Sequence, residues 1–146
     1  MPIIRVEVPE GVYDAETTER LIAAVTEAGA TAEQIPDDPE LRLGLIVLWD
    51  VRPAGSIRSD GVDPVGLVAP VFVWLHPPAG VVDDESIEVF AATVQAAFDE
   101  ATQQLVTVSV VVSEVPDGRW AIGGQLQRLP DFARRAGYAH LQHLVG

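Results

Sequence analysis

The stretch GVYDAETTE at positions 11–19 returns as GVVDDESIE at positions 80–88, with five of the nine positions identical. A repeat of this kind inside one chain signals two copies of a supersecondary unit. The correspondence extends in both directions. Upstream, a β-branched run led by Pro2 (PIIRVEV) matches one led by Pro70 (PVFVWLH), with one extra residue before the second glycine. Downstream, Leu21, Val25 and Ala28 fall on one face of a predicted helix, as do Ile87, Phe90, Val94, Ala97 and Phe98 in the second copy. Asp14 and Asp83 stand where N-caps belong, and Glu16 and Glu85 suit the positive end of each helix dipole. A second apolar run closes each copy, Leu43 to Trp49 and Leu105 to Val115. Both copies read strand, helix, strand.

Residues 1–51 form the first β-α-β unit, 52–69 a connector, 70–126 the second unit and 127–146 a C-terminal tail. The right-handed crossover rule then leaves few ways to build the expected α+β fold, a four-stranded sheet with two helices on one face. The connector RPAGSIRSDGVDPVG is rich in glycine and proline and reads as a functional loop. In PDGRWAIGGQL, Asp117-Gly118 and Gly123-Gly124 signal tight turns around a short strand. Leu129 to Val145 reads as a short terminal helix capped by Asp131.

Apolar residues make up 48 % and charged residues 21 % of the 146, enough for a sizeable core. No apolar run reaches the roughly 20 residues of a membrane span, and MPIIRVEVPEG lacks the basic start of a signal peptide, so a cytoplasmic chain is expected. The absence of cysteine excludes disulfides, zinc–thiolate sites and thiol nucleophiles. With a net charge of −13 and nine arginines gathered into no stripe, neither nucleic acid nor a membrane is an expected partner.

Three features together resemble the tautomerase superfamily, specifically members in which two 4-oxalocrotonate-tautomerase-like units are fused. They are Pro2 directly before a strand ending in Pro9-Glu10-Gly11, the strand-helix-strand duplication, and the hairpin segment Gly118-Arg119-Trp120-Ala121-Ile122-Gly123-Gly124-Gln125-Leu126. The Arg52-Pro53-Ala54-Gly55 turn is similar to that of fused dehalogenase-like and decarboxylase-like members. The resemblance implies a homotrimer, no cofactor and no metal. It also implies that Pro2, freed by removal of Met1, acts as general base on a small carboxylate substrate, with Trp120 as an aromatic wall. Only a chain-terminal proline has a basic nitrogen, so Pro70 cannot act as a second base. Desolvation in an apolar pocket would keep that amine neutral near pH 7.

The chain departs from the family in its cations. Val12 stands where the prototype has an arginine, with Val81 as its repeat partner; Leu45 and Ser109 stand where it has the second. The arginine pair of dehalogenase-like members would fall in His76-Pro77-Pro78-Ala79-Gly80. Arg119, Arg52 and Arg58 remain as candidate substrate-binding residues, all on segments expected to approach the Pro2 end of the sheet. His76 is a candidate donor or ligand, although a lone histidine at a strand end is more often structural. Asp50 and Glu114, at the ends of the second strand of each copy, could divide acid and base roles. His140 and His143 share a helical face without a third ligand. Trp49 and Trp74 read as core or interface aromatics. The rival readings are a non-catalytic ligand-binding module of ferredoxin-like topology, with Pro2 incidental, and a pseudoenzyme that keeps the trimer for assembly alone.

Overall fold

In the computed structural model, which describes residues 1–146, both predicted caps are in place. Asp14 accepts a hydrogen bond from the Thr17 backbone N–H at 2.7 Å, and Asp83 accepts one from Ser86 at 2.8 Å. Each opens an 18-residue helix, α1 (Ala15–Ala32) and α3 (Asp84–Ala101). Between them lie a short helix α2 (Pro39–Arg42) and strand β2 (Ile46–Arg52), and β1 (Ile3–Pro9), β3 (Ala69–His76) and β4 (Val106–Val112) complete the main sheet. No helix is long and apolar enough to cross a membrane.

The sheet order is β2-β1-β3-β4. Within each unit the strands run parallel, and the units join through the antiparallel β1–β3 pair, in which Ile3 faces His76 and Glu7 faces Phe72. Ile4, Val6 and Val8 of β1 and Val71, Val73 and Leu75 of β3 point to the helices and are buried, together with Leu21, Val25, Phe90, Val94 and Phe98. Phe98 takes Tyr13 edge-on at 5.6 Å and stacks on Trp49 at 6.3 Å between ring centres. A side chain of this size contributes about 1.5–3 kcal/mol by burial.

The opposite face of the sheet carries no helix. Trp74 Nε1 donates to Glu7 at 3.0 Å, Arg5 lies 5.3 Å over the Trp74 ring, and Arg52 lies 3.5 Å from Asp50 and 3.9 Å from Glu7. Beside this polar chain, Ile46, Leu48 and Val111 are exposed at 44 %, 49 % and 41 %.

Several boundaries differ from the sequence reading: β2 runs on to Arg52, past Trp49, and β4 spans Val106–Val112 within the Leu105 to Val115 run. The second strand of the first unit begins at Ile46 rather than Leu43, because Asp38 caps a helical turn with Pro39 at its first position, and the chain needs Leu43–Leu45 to leave it. The tail is not one helix: α4 (Leu129–Ala136) stops at Gly137, which is left-handed at φ 63°, and a 3-10 segment (Ala139–Leu144) follows. Asp131 is not the cap of α4 but sits in its first turn, where it accepts from the Arg128 backbone N–H at 2.9 Å. The hairpin is as expected, β5 (Trp120–Ile122) against β6 (Gln125–Gln127), with Gly123 and Gly124 at φ 59° and 81° supplying the two-residue turn.

Phe98→Ala is expected to cost about 3–5 kcal/mol of unfolding free energy, and Asp83→Ala about 1 kcal/mol. Urea titration of both variants checks the ordering, which places the shared core above the caps.

Candidate functional site

The start of the chain is enclosed. Chain termini usually lie free at the surface, but here Pro2 is buried and its carbonyl accepts from the Ile46 N–H at 3.1 Å. Met1 ahead of it is only 16 % exposed. Its side chain lies against Gly44, where a Cβ would stand 2.9 Å from the Met1 sulfur.

The α-amine of Met1 reaches two buried groups that the sequence reading missed. It donates to Glu33 Oε2 at 2.5 Å and contacts the Tyr138 hydroxyl. Both residues are 0 % exposed. Glu33 is the C-cap of α1, and it is turned inward by a left-handed residue directly after it, Gln34 at φ 54°. The Ile35 N–H then bonds the Ala30 carbonyl and the Gln34 N–H bonds the Thr31 carbonyl, closing the helix end. Tyr138 arrives from the tail, which packs a second apolar cluster of Ala30, Ile35, Val81, Phe132, Ala133, Ala136 and Tyr138 over the chain start.

The electrostatics of this corner follow from burial. Desolvation pulls the Met1 ammonium below its ordinary value against the opposing pull of Glu33, and it pushes the Glu33 carboxyl above the usual carboxylate range. The Tyr138 hydroxyl is likewise pushed up, first by burial and then by Glu33. Glu33 Oε1 and His140 Nδ1 are buried with no hydrogen-bond partner, while His140 Nε2 stands 2.8 Å from the Val81 carbonyl oxygen. An unpaired buried carboxylate oxygen is costly.

The sequence-predicted site residues separate into two groups. At the Pro2 end stand His76, paired in register with Ile3, and Trp120, which packs on the second apolar cluster with its ring 5.1 Å from Phe132. Arg119 is beside Trp120 and exposed, in no ion pair. Arg52 is at the other end: β2 runs parallel to β1, so Arg52 pairs with Pro9, roughly 20 Å along the strand at ~3.3 Å per residue. Arg58 stays with it, its Nε donating to the Gly55 carbonyl at 2.7 Å in the connector. The expectation that both arginines approach the Pro2 end within one chain is therefore corrected.

Asp50 and Glu114 do not meet either. β2 and β4 point in opposite directions across the antiparallel junction, so Asp50 lies near Arg52 while Glu114 accepts from the Gly80 N–H at 3.3 Å. A groove of about 570 Å3 between α1 and α3 has none of Pro2, Glu33 and Tyr138 in its lining.

No protein-family model and no curated protein matches the sequence. Solved structures do. A fused 4-OT solved as an asymmetric trimer is 20 % identical, superposes with a TM-score of 0.68, and is covered over 94 % of its chain by 85 % of this one. A native fused 4-OT is 22 % identical at a TM-score of 0.65 with the same coverage. A malonate semialdehyde decarboxylase inhibited by 3-bromopropiolate is 15 % identical at 0.63, matched over 88 % of its chain by 83 % of this one. At these identities the likeness is one of architecture. The chain has the fused tautomerase fold, two β-α-β units in a single polypeptide.

Proposed function

We propose that the chain, once Met1 is removed, is a cofactor-independent tautomerase-like enzyme whose Pro2 nitrogen is the general base on a small enol or keto acid. Keto-enol tautomerisation is the leading reaction, with hydration, dehalogenation and decarboxylation as relatives of the same proton transfer. The observation that carries this reading is the enclosure of the chain start under the tail: Pro2 is buried and the second apolar cluster packs on Met1 just ahead of it, and burial of this kind disfavours a charged amine. Trp120 offers an aromatic surface near this corner, the exposed Arg119 beside it is a cation for the substrate carboxylate, and His76 is in register beside the first strand. Pro2→Ala in the Met1-free protein is expected to lower kcat/KM on phenylenolpyruvate by at least about 100-fold. Unchanged turnover would remove proline as the base.

A homotrimer belongs to the same proposal. The helix-free sheet face and the unpaired edges of β2 and β4 leave Ile46, Leu48 and Val111 exposed, which invites pairing with further copies. Light scattering should give three times the 15.6 kDa of one chain, and Leu48→Asp should shift the protein to monomer.

One observation favours a second reading, a non-catalytic binding or structural protein that keeps Met1: the α-amine already has partners in Glu33 and Tyr138. Intact mass separates the two readings. In a Met1-bearing chain, Glu33→Gln removes the charge that opposes desolvation while burial remains, so the amine pKa should fall further. Amine labelling followed across pH reads the direction, and a rise would contradict it.

A further inference from the structure

We propose that the space occupied by Met1 is the substrate slot and that Glu33 and Tyr138 form its catalytic polar end, fitted to an uncharged carbonyl or enol oxygen. This rests on Pro2 being the base.

The slot is defined by what holds Met1. The amine is held by Glu33 and Tyr138, and the side chain lies over Gly44. The Pro2 nitrogen is one residue in from that amine, about 3.8 Å along the chain in Cα spacing. Loss of Met1 therefore leaves a gap with the Pro2 nitrogen on one side and the Glu33–Tyr138 pair on the other. Glu33, which is 0 % exposed, would lose its ammonium partner, and its Oε1 already has none. A buried carboxyl left in this state needs a ligand, a proton or both.

The chemistry of the pair selects the ligand. No arginine contacts Glu33 or Tyr138, and His140, the basic side chain that faces Glu33, has its Nε2 on the Val81 carbonyl, so a carboxylate pushed to the inner end of the slot would meet a buried acid with no guanidinium to hold it. A ketone or enol oxygen would instead accept from the Tyr138 hydroxyl and from Glu33 in its protonated form, the form that burial favours. The substrate class is thus a monocarboxylic keto or enol acid, with its carbonyl inward and its one carboxylate directed out toward solvent.

The proton balance closes within these residues. The Pro2 nitrogen takes a proton from the carbon beside the carbonyl, and the C–H electron pair becomes the C=C bond as the C=O pair moves to oxygen. Glu33 gives its proton to that oxygen, which Tyr138 holds by a hydrogen bond. The resulting prolyl ammonium and Glu33 carboxylate return to amine and acid by one proton transfer, and the 2.5 Å contact between Glu33 and the Met1 amine shows that an amine can sit within reach of this carboxyl. The reverse sequence converts enol to ketone.

The test uses Met1-free protein, confirmed by mass, with phenylenolpyruvate as the monoacid and 2-hydroxymuconate as the diacid. Wild type should prefer the monoacid by at least about tenfold in kcat/KM. Tyr138→Phe should lower kcat on the monoacid by about 100-fold with little change in KM. Gly44→Ala, which places a methyl where Met1 lay without touching a titrating group, should raise KM. Circular dichroism and thermal melting establish that each variant is folded, and the wild-type preference needs no variant. Equal or better turnover of the diacid overturns the proposal, as does full activity in folded Tyr138→Phe with Pro2→Ala inactive; in that case Pro2 remains the base. If Pro2→Ala is as active as wild type, or wild type turns over neither compound, both this proposal and the one it rests on fall.

Discussion

The antiparallel pairing of β1 with β3 is the constraint on which the remaining structure depends. It joins two copies of one unit head to tail at the centre of the sheet, so equivalent residues of the copies arrive at opposite ends. Everything that distinguishes one end from the other must then come from outside the repeat. Pro2 and Pro70 illustrate this: they head equivalent strands, but only the first has a chain start beside it and a tail folded over it.

That tail changes the character of the Pro2 end. Residues 127–146 build a second apolar cluster, and Asp117 fastens its entry by accepting from the Leu129 N–H at 2.8 Å and from Arg128 at 3.2 Å. The Ala139 N–H bonds the Gln34 carbonyl at 3.0 Å, tying the tail to the end of α1. The first core, between helices and sheet, is built of apolar side chains, with Thr17 and the polar atoms of Tyr13 and Trp49 at its margin. The second encloses a carboxyl, a phenol and an amine. Stability resides mainly in the first core, and the buried titratable groups on which the proposed chemistry rests lie in the second.

How much of this was legible in the sequence depended on range. Asp14 and Asp83 were readable because a cap and its partner lie three residues apart, and the helix faces were readable because their period is local. The strand directions that separate Arg52 from Pro2 follow from the parallel pairing inside each β-α-β unit, which sets the end of β2 beside the end of β1 and carries the connector arginines away from the chain start. Glu33 was not legible. It follows a helix in a polar stretch, and its inward turn depends on the αL geometry of Gln34 and on Tyr138, more than a hundred residues away. The one available signal was a tail with Phe132 and Tyr138, more apolar than a solvated end requires. Asp131 was misread as a cap because first-turn acids and caps share the same residue types.

The burial of Met1 sets a race. An aminopeptidase must grip an extended terminus, but in the folded chain Met1 is 16 % exposed, with its amine held by Glu33 and Tyr138 and its side chain against the tail cluster. Removal of Met1, on which the proposed base depends, would therefore have to precede docking of the tail. A chain that keeps Met1 and a chain that loses it would then differ by the order of two events rather than by their encoded sequence.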